Sequence, residues 1–95
     1  EHPETIADGL RTSVGVRNFP IIREHVSDIL TVSEDGIVAA MRLIWERMKL
    51  VVEPSGAVPL AALLENGAPI ETQSIGLIIS GGNTDLDALP WLKRR

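Results

Sequence analysis

The 95 residues allow one small domain or part of a larger one, and a domain of that size buries only about 60–65% of its unfolded surface. With 44% hydrophobic and 3% aromatic residues, the composition argues against disorder and the core must be aliphatic, built from Leu, Ile, Val and Ala. A net charge of −4 argues against nucleic acid as the main partner, and the absence of cysteine excludes a disulfide frame and a thiolate metal site.

Residues 1–16 are rich in turn-formers and read as an ordered irregular segment. The chain begins Glu1-His2-Pro3 without an initiator methionine, and the first methionine is Met41, so this start is expected to be a cut or processed end. Asn18 is the expected N-cap of a short helix through about Val26, with Pro20 in its first turn and Phe19, Ile22 and Val26 on one face. Residues 28–32, Asp-Ile-Leu-Thr-Val, read as a short strand.

Ser33 can cap the next helix, with Glu34 and Asp35 complementing the dipole in its first turn. Ile37, Ala40, Met41, Ile44 and Met48 recur at helical spacing and predict one buried face, with Trp45 packing at its edge. Leu50-Val51-Val52 is an apolar connection, and Glu53-Pro54-Ser55-Gly56 reads as a turn. Ala57 to Leu64 predicts a small-residue helix stopped by Asn66-Gly67. Pro59 fits that helix only if it has barely begun there. Residues 74–79 read as a second strand, stopped by Ser80-Gly81-Gly82-Asn83. Leu86, Leu89 and Trp91 are expected to pack back on the body, and Lys93-Arg94-Arg95 to be a solvated basic tail.

The order helix, strand, helix, helix, strand predicts an α/β fold with parallel strands joined by a right-handed crossover. Two wholly apolar strands call for sheet neighbours that this chain does not contain. No apolar run approaches the roughly 18–20 residues of a membrane span, and no signal peptide is visible. The expectation is a cytoplasmic protein with no membrane partner. His2 and His25 lie far apart and show no ligand spacing.

Three loop segments stand out: Thr5-Ile6-Ala7-Asp8-Gly9, Glu53-Pro54-Ser55-Gly56 and Ser80-Gly81-Gly82-Asn83. Ligands of α/β sheets gather outside the carboxyl ends of strands, where Ser80 and Asn83 would stand on a backbone open to close approach. In this order and frame the three segments resemble the C-terminal part of a serine racemase or serine/threonine dehydratase. These are pyridoxal-phosphate enzymes of fold type II, the tryptophan synthase β-like family. Phe19-Pro20-Ile21-Ile22-Arg23, Val32-Ser33-Glu34-Asp35, Trp45-Glu46-Arg47-Met48-Lys49-Leu50 and Asp85-Leu86 carry the likeness further. It runs over essentially the whole chain and covers about the last third of such an enzyme.

The resemblance implies that residues 1–95 are the C-terminal segment of the large, cofactor-binding domain, an incomplete three-layer sandwich of parallel strands with flanking helices. Ser80 matches the serine that hydrogen-bonds the pyridine nitrogen of pyridoxal 5′-phosphate, and its alternative reading is a capping serine at a strand end. Glu53 matches the glutamate beside the cofactor's 3-hydroxyl edge, against a helix N-terminal carboxylate stabilised by the dipole. Gly9 matches a glycine whose backbone lines the pocket, against an ordinary turn glycine. Lys49 and Asn83 are similar to residues that hold ATP at the subunit interface of mammalian-type serine racemases; Lys49 is otherwise a solvated lysine at a helix end.

The Schiff-base lysine, the phosphate loop and the carboxylates of a Mg2+/Mn2+ site lie upstream in the family. Lys49 and Lys93 have the wrong context for a Schiff base, so no catalytic residue is placed on this chain. The implied parent is a serine/threonine ammonia-lyase or serine racemase. It would act on a small hydroxy amino acid by α-proton abstraction and β-elimination, with 3-hydroxyaspartate also a possible substrate. Its partners are the missing N-terminal portion and further copies in a homo-oligomer, and the segment alone is expected to be inactive. The alternative is a non-enzymatic ligand-binding or interaction module derived from the same fold.

Overall fold

A computed structural model describes residues 6–7, 15–67 and 74–92. The readings placed on Gly9, Lys93 and the basic tail lie outside them. Three helices carry the chain: α1 (Asn18–His25), α2 (Glu34–Leu43) and α3 (Pro54–Asn66). A π-helical turn over Ile44–Met48 continues α2.

The α1 helix starts one residue earlier than the capping pattern predicts. Its N-cap is Arg17, already in the right-handed region and without a side-chain capping bond. The amides of Asn18 and Phe19 instead donate to Gly15 O at 3.2 and 3.1 Å, so backbone turns close the helix start. No residue of α1 is buried; of its expected apolar face, Phe19 and Val26 are exposed and Ile22 is half-buried.

Ser33 caps α2 as expected. Its backbone is extended, and its hydroxyl accepts from the Gly36 amide at 2.9 Å. The cap is itself held from α3. The Glu65 carboxylate accepts from the Ser33 amide at 3.2 and 3.1 Å and from the Ser33 hydroxyl. Asn66 Nδ2 donates to Thr31 O at 3.3 Å beside it. The start of α2 is thus tied to the end of α3, and the short connection 49–53 joins their other ends. The pair is an antiparallel hairpin.

Between the helices lies the core: Ile37, Ala40, Met41 and Ile44 from α2 and its continuation, Val52 from the connection, Ala57 and Ala61 from α3, and Ala7. Alanines at the contact let the two backbones approach closely. Met41, Ile44 and Val52 are the largest fully buried side chains, each contributing about 1.5–3 kcal/mol of transfer free energy. Met48 leaves the predicted stripe and is 57% exposed. A π turn bonds i to i+5 and holds more residues than an α turn, which rotates Met48 off the buried face.

Helix α3 begins at Pro54, not Ala57. Proline at the first position has its φ already set for the helix, and Glu53 in the extended region is the N-cap. Ser55 and Gly56 therefore form helix, not a turn, and Pro59 lies in the helix interior, contrary to the sequence reading. Gly67 ends the helix as expected, at φ +71° with its amide on Leu63 O at 2.8 Å.

Neither predicted strand is formed among the described residues. Residues 28–32 and 74–79 carry no ladder, because a strand needs a partner and these two do not pair with each other. Ile29 and Ile78 are 73% and 80% exposed. Leu30, Ile75 and Leu77 instead line an apolar groove of about 280 Å3 against Pro59, Ala62 and Leu63 of α3. The radius of gyration, 14.6 Å, exceeds the roughly 12 Å of a compact chain of this length. The tail does return: Leu89 and Trp91 pack against the core, while Leu86 stays exposed.

Candidate functional site

The segment 51–53 and the glycine-rich loop after residue 79 meet at the start of α3. The Glu53 amide donates to Gly81 O at 2.9 Å. A Cβ added at Gly82 would lie 2.5 Å from Val51 O, and one added at Gly56 would lie 3.0 Å from Gly81 O. A Cβ on Gly81 would overlap the Glu53 carboxylate. The need for glycine here is therefore one of space. Neither Gly81 nor Gly82 has a positive φ, so a left-handed backbone is not the reason for them.

This contact brings together two of the residues singled out in the sequence. Glu53 is half-buried at the N-cap of α3, yet its side chain makes no capping bond. Its carboxylate lies against Gly81, next to the exposed Ser80. A carboxylate and a hydroxyl thus stand on adjoining residues of two segments held together, which suits the polar edge of a flat ligand.

Lys49 and Asn83 are both exposed, and no hydrogen bond joins them among the described residues. Lys49 closes the π turn in the left-handed conformation, φ 58°. Its ammonium donates to Glu46 O at 2.7 Å. Nearby, the Arg42 guanidinium hydrogen-bonds Glu46 at 2.8 Å and holds its carboxyl below the ordinary value of 4.5, with smaller help from Arg47 and Lys49. Among the described residues no group of three or more histidine or acidic side chains is placed to hold a metal ion, and no helix is long and apolar enough to cross a membrane.

Sequence reasoning placed Trp45 at the core edge and missed its polar role. The indole N–H donates to Val52 O at 2.9 Å, and Trp91 meets the ring edge-to-face at 5.3 Å and 79°. A half-buried indole needs an acceptor, which is the one signal that could have pointed there.

Comparison with known proteins places this geometry in context. Residues 1–81 match the family described as pyridoxal-phosphate dependent enzyme. The chain is 47% identical over 96 residues to a serine racemase of Bos taurus, covering 98% of this chain and 29% of that protein. It is 46% identical over 89 residues to a beta-hydroxyaspartate dehydratase of Paracoccus denitrificans, covering 94% of this chain and 28% of that protein. Among solved structures, a threonine deaminase from T.th. superposes with a TM-score of 0.83 at 56% identity, over 90% of this chain and 31% of its own. The chain therefore spans less than a third of the length of these relatives.

Proposed function

The chain belongs to the pyridoxal-phosphate dependent enzyme family, and from that premise we propose that it forms the C-terminal part of the cofactor-binding domain of a hydroxy amino acid dehydratase or racemase. The observation that carries this reading is the meeting of Glu53 with the Ser80-Gly81-Gly82 loop through the 2.9 Å bond to Gly81 O. The local chemistry fits the cofactor: a hydroxyl at Ser80 and a carboxylate at Glu53, on segments joined at Gly81.

Bound pyridoxal phosphate supplies an electron sink for the carbon that loses its proton. Ser80 would hydrogen-bond the pyridine nitrogen. Its neutral hydroxyl cannot hold a proton there as a carboxylate would, which keeps the sink mild and suits loss of a β-hydroxyl. Glu53 would face the 3-hydroxyl edge, with its reach limited by Gly81 behind it. Gly9, on the family match, would add backbone to the same pocket.

The substrate class follows from the relatives: serine, threonine or 3-hydroxyaspartate, each with an α-proton and a β-hydroxyl. The base that takes the α-proton and the Mg2+ or Mn2+ ligands would come from sequence preceding that of this segment. That sequence would also supply the missing sheet neighbours and cover the groove beside Leu30, Ile75 and Leu77, completing a large domain to which residues 1–95 contribute one part. ATP at Lys49 and Asn83 in a homo-oligomer belongs to the same reading. Its support is an exposed ammonium at a left-handed turn and an exposed amide beside the glycine loop.

In the complete protein, Ser80→Ala and Glu53→Gln should each weaken pyridoxal phosphate binding by about 5- to 50-fold, since the first removes the hydroxyl that bonds the ring nitrogen and the second removes the charge of a hydrogen-bonding carboxylate. Cofactor absorbance titration reads the affinity, and keto acid release from serine, threonine and 3-hydroxyaspartate reads the activity. Unchanged affinity in both variants would remove these residues from the site.

A further inference from the structure

We propose that Trp45 is a positioning residue for the cofactor face, acting through the carbonyl of Val52. The inference rests on the reading of Glu53 and Ser80 given above and adds what holds them in place.

Three consecutive residues in the segment that carries Glu53 have an engaged backbone group. Val51 O lies against Gly82, Val52 O accepts from the Trp45 indole at 2.9 Å, and the Glu53 amide donates to Gly81 O at 2.9 Å. A trans peptide points its carbonyl and its N–H to opposite sides. The Val51 carbonyl and the Glu53 amide thus share the side that faces the glycine loop, and the Val52 carbonyl points the other way. Trp45 holds that far side, while the Val52 side chain is fully buried in the core. The segment is clamped front and back, and the clamp fixes how far Glu53 stands from Ser80.

The origin of Trp45 explains why its reach is well defined. It sits in the π turn Ile44–Met48, which ends at left-handed Lys49. A non-glycine residue in that conformation persists where its surroundings over-determine it. Here they do so twice, through Lys49 Nζ on Glu46 O at 2.7 Å and through the indole bond that closes residues 45–52. The second arm of the glycine loop reaches the same ring. The chain after Asn83 runs back to Trp91, which packs edge-to-face on Trp45 at 5.3 Å. One indole therefore contacts the segment before Glu53 and the tail that follows Ser80.

Trp45→Phe in the complete protein keeps an aromatic ring for Trp91 and removes the N–H together with one ring of the indole. It should raise the dissociation constant for pyridoxal phosphate by about 3- to 10-fold, the equivalent of one neutral hydrogen bond, and speed hydrogen exchange of the Glu53 amide. Trp91→Leu, which keeps the indole bond, should lower the unfolding temperature with a smaller change in affinity. A role confined to packing would give the reverse order, with Trp91→Leu at least as damaging to affinity, and would overturn the proposal. If Trp45→Phe does not fold, the unsubstituted protein decides. Loading pyridoxal phosphate should slow exchange of the Trp45 indole N–H and the Glu53 amide together, and a response of Glu53 alone overturns the coupling. Should Ser80→Ala and Glu53→Gln weaken cofactor binding while Trp45→Phe leaves it within twofold, positioning by Trp45 fails and the cofactor site stands. If none of the three changes it, the site itself fails.

Discussion

The adjacent glycines Gly81 and Gly82 should respond to alanine in opposite ways. A Cβ at Gly82 would sit 2.5 Å from Val51 O and 3.3 Å from Val51 C, both backbone atoms that cannot turn aside. The loop would have to lift from the 51–53 segment and give up the bond from the Glu53 amide to Gly81 O. The lost hydrogen bond is worth about 1 kcal/mol and the overpacking about 1–3 kcal/mol. Against this, alanine lowers the entropy of the unfolded chain by only about 0.4–1 kcal/mol. Gly82→Ala should therefore destabilise by roughly 1–3 kcal/mol net. At Gly81 the obstacle is the Glu53 carboxylate, the far end of a flexible side chain. It can rotate away, so Gly81→Ala should cost less than about 1 kcal/mol of stability. What falls is cofactor affinity, because the displaced group is the proposed contact. Gly76, with nothing within 4 Å of an added Cβ, is the control.

Urea unfolding of the complete protein, followed by tryptophan fluorescence, reads the first effect as a lower midpoint at unchanged slope. Absorbance titration with pyridoxal phosphate reads the second. A Gly82→Ala protein as stable as wild type would refute the close seating of the loop on Val51. A Gly81→Ala protein with full cofactor affinity would refute the placement of Glu53.

The tie between α2 and α3 predicts coupling. Ser33→Ala and Glu65→Ala should each cost about 1 kcal/mol. The double variant should cost clearly less than their sum, because the Ser33 hydroxyl and the Glu65 carboxylate bind each other; additive unfolding energies would show that the bond contributes nothing. The Arg42–Glu46 pair predicts a pH effect of known sign. The folded value of Glu46 lies below its ordinary 4.5, so its contribution is present above that value and is lost as pH falls through the lower folded one. A carbon NMR titration should find the Glu46 carboxyl depressed, and Arg42→Gln should return it to the ordinary range. A Glu46 midpoint indifferent to Arg42 would sink the assignment.

How far the sequence reveals this structure depends on whether the deciding interaction is local. Ser33 is legible because a hydroxyl four residues before an apolar stripe finds its partner, Gly36, within one helical turn. The stripe Ile37, Ala40, Met41 and Ile44 is legible for the same reason. It fails at Met48, where a π turn that the spacing does not announce changes the period. Pro54 and Pro59 each fit a helix start by local rules, and only the packing of Gly56 and Ala57 decides for Pro54. The strands meet a more basic limit, since 28–32 and 74–79 have the composition of buried strands while a ladder is a property of two segments together. The site combines both cases. Ser80 and Glu53 came from family likeness, because nothing local joins residues so far apart in the chain. What joins them is a backbone bond to Gly81, close approach at Gly82 and the Trp45 indole on Val52. All three contacts end on a backbone carbonyl, whose identity no side chain encodes. The third needs the left-handed turn at Lys49 to bring the indole around. A glycine pair in such a sequence therefore marks where another backbone passes, and the residue to look for next is the aromatic donor that holds that backbone from behind.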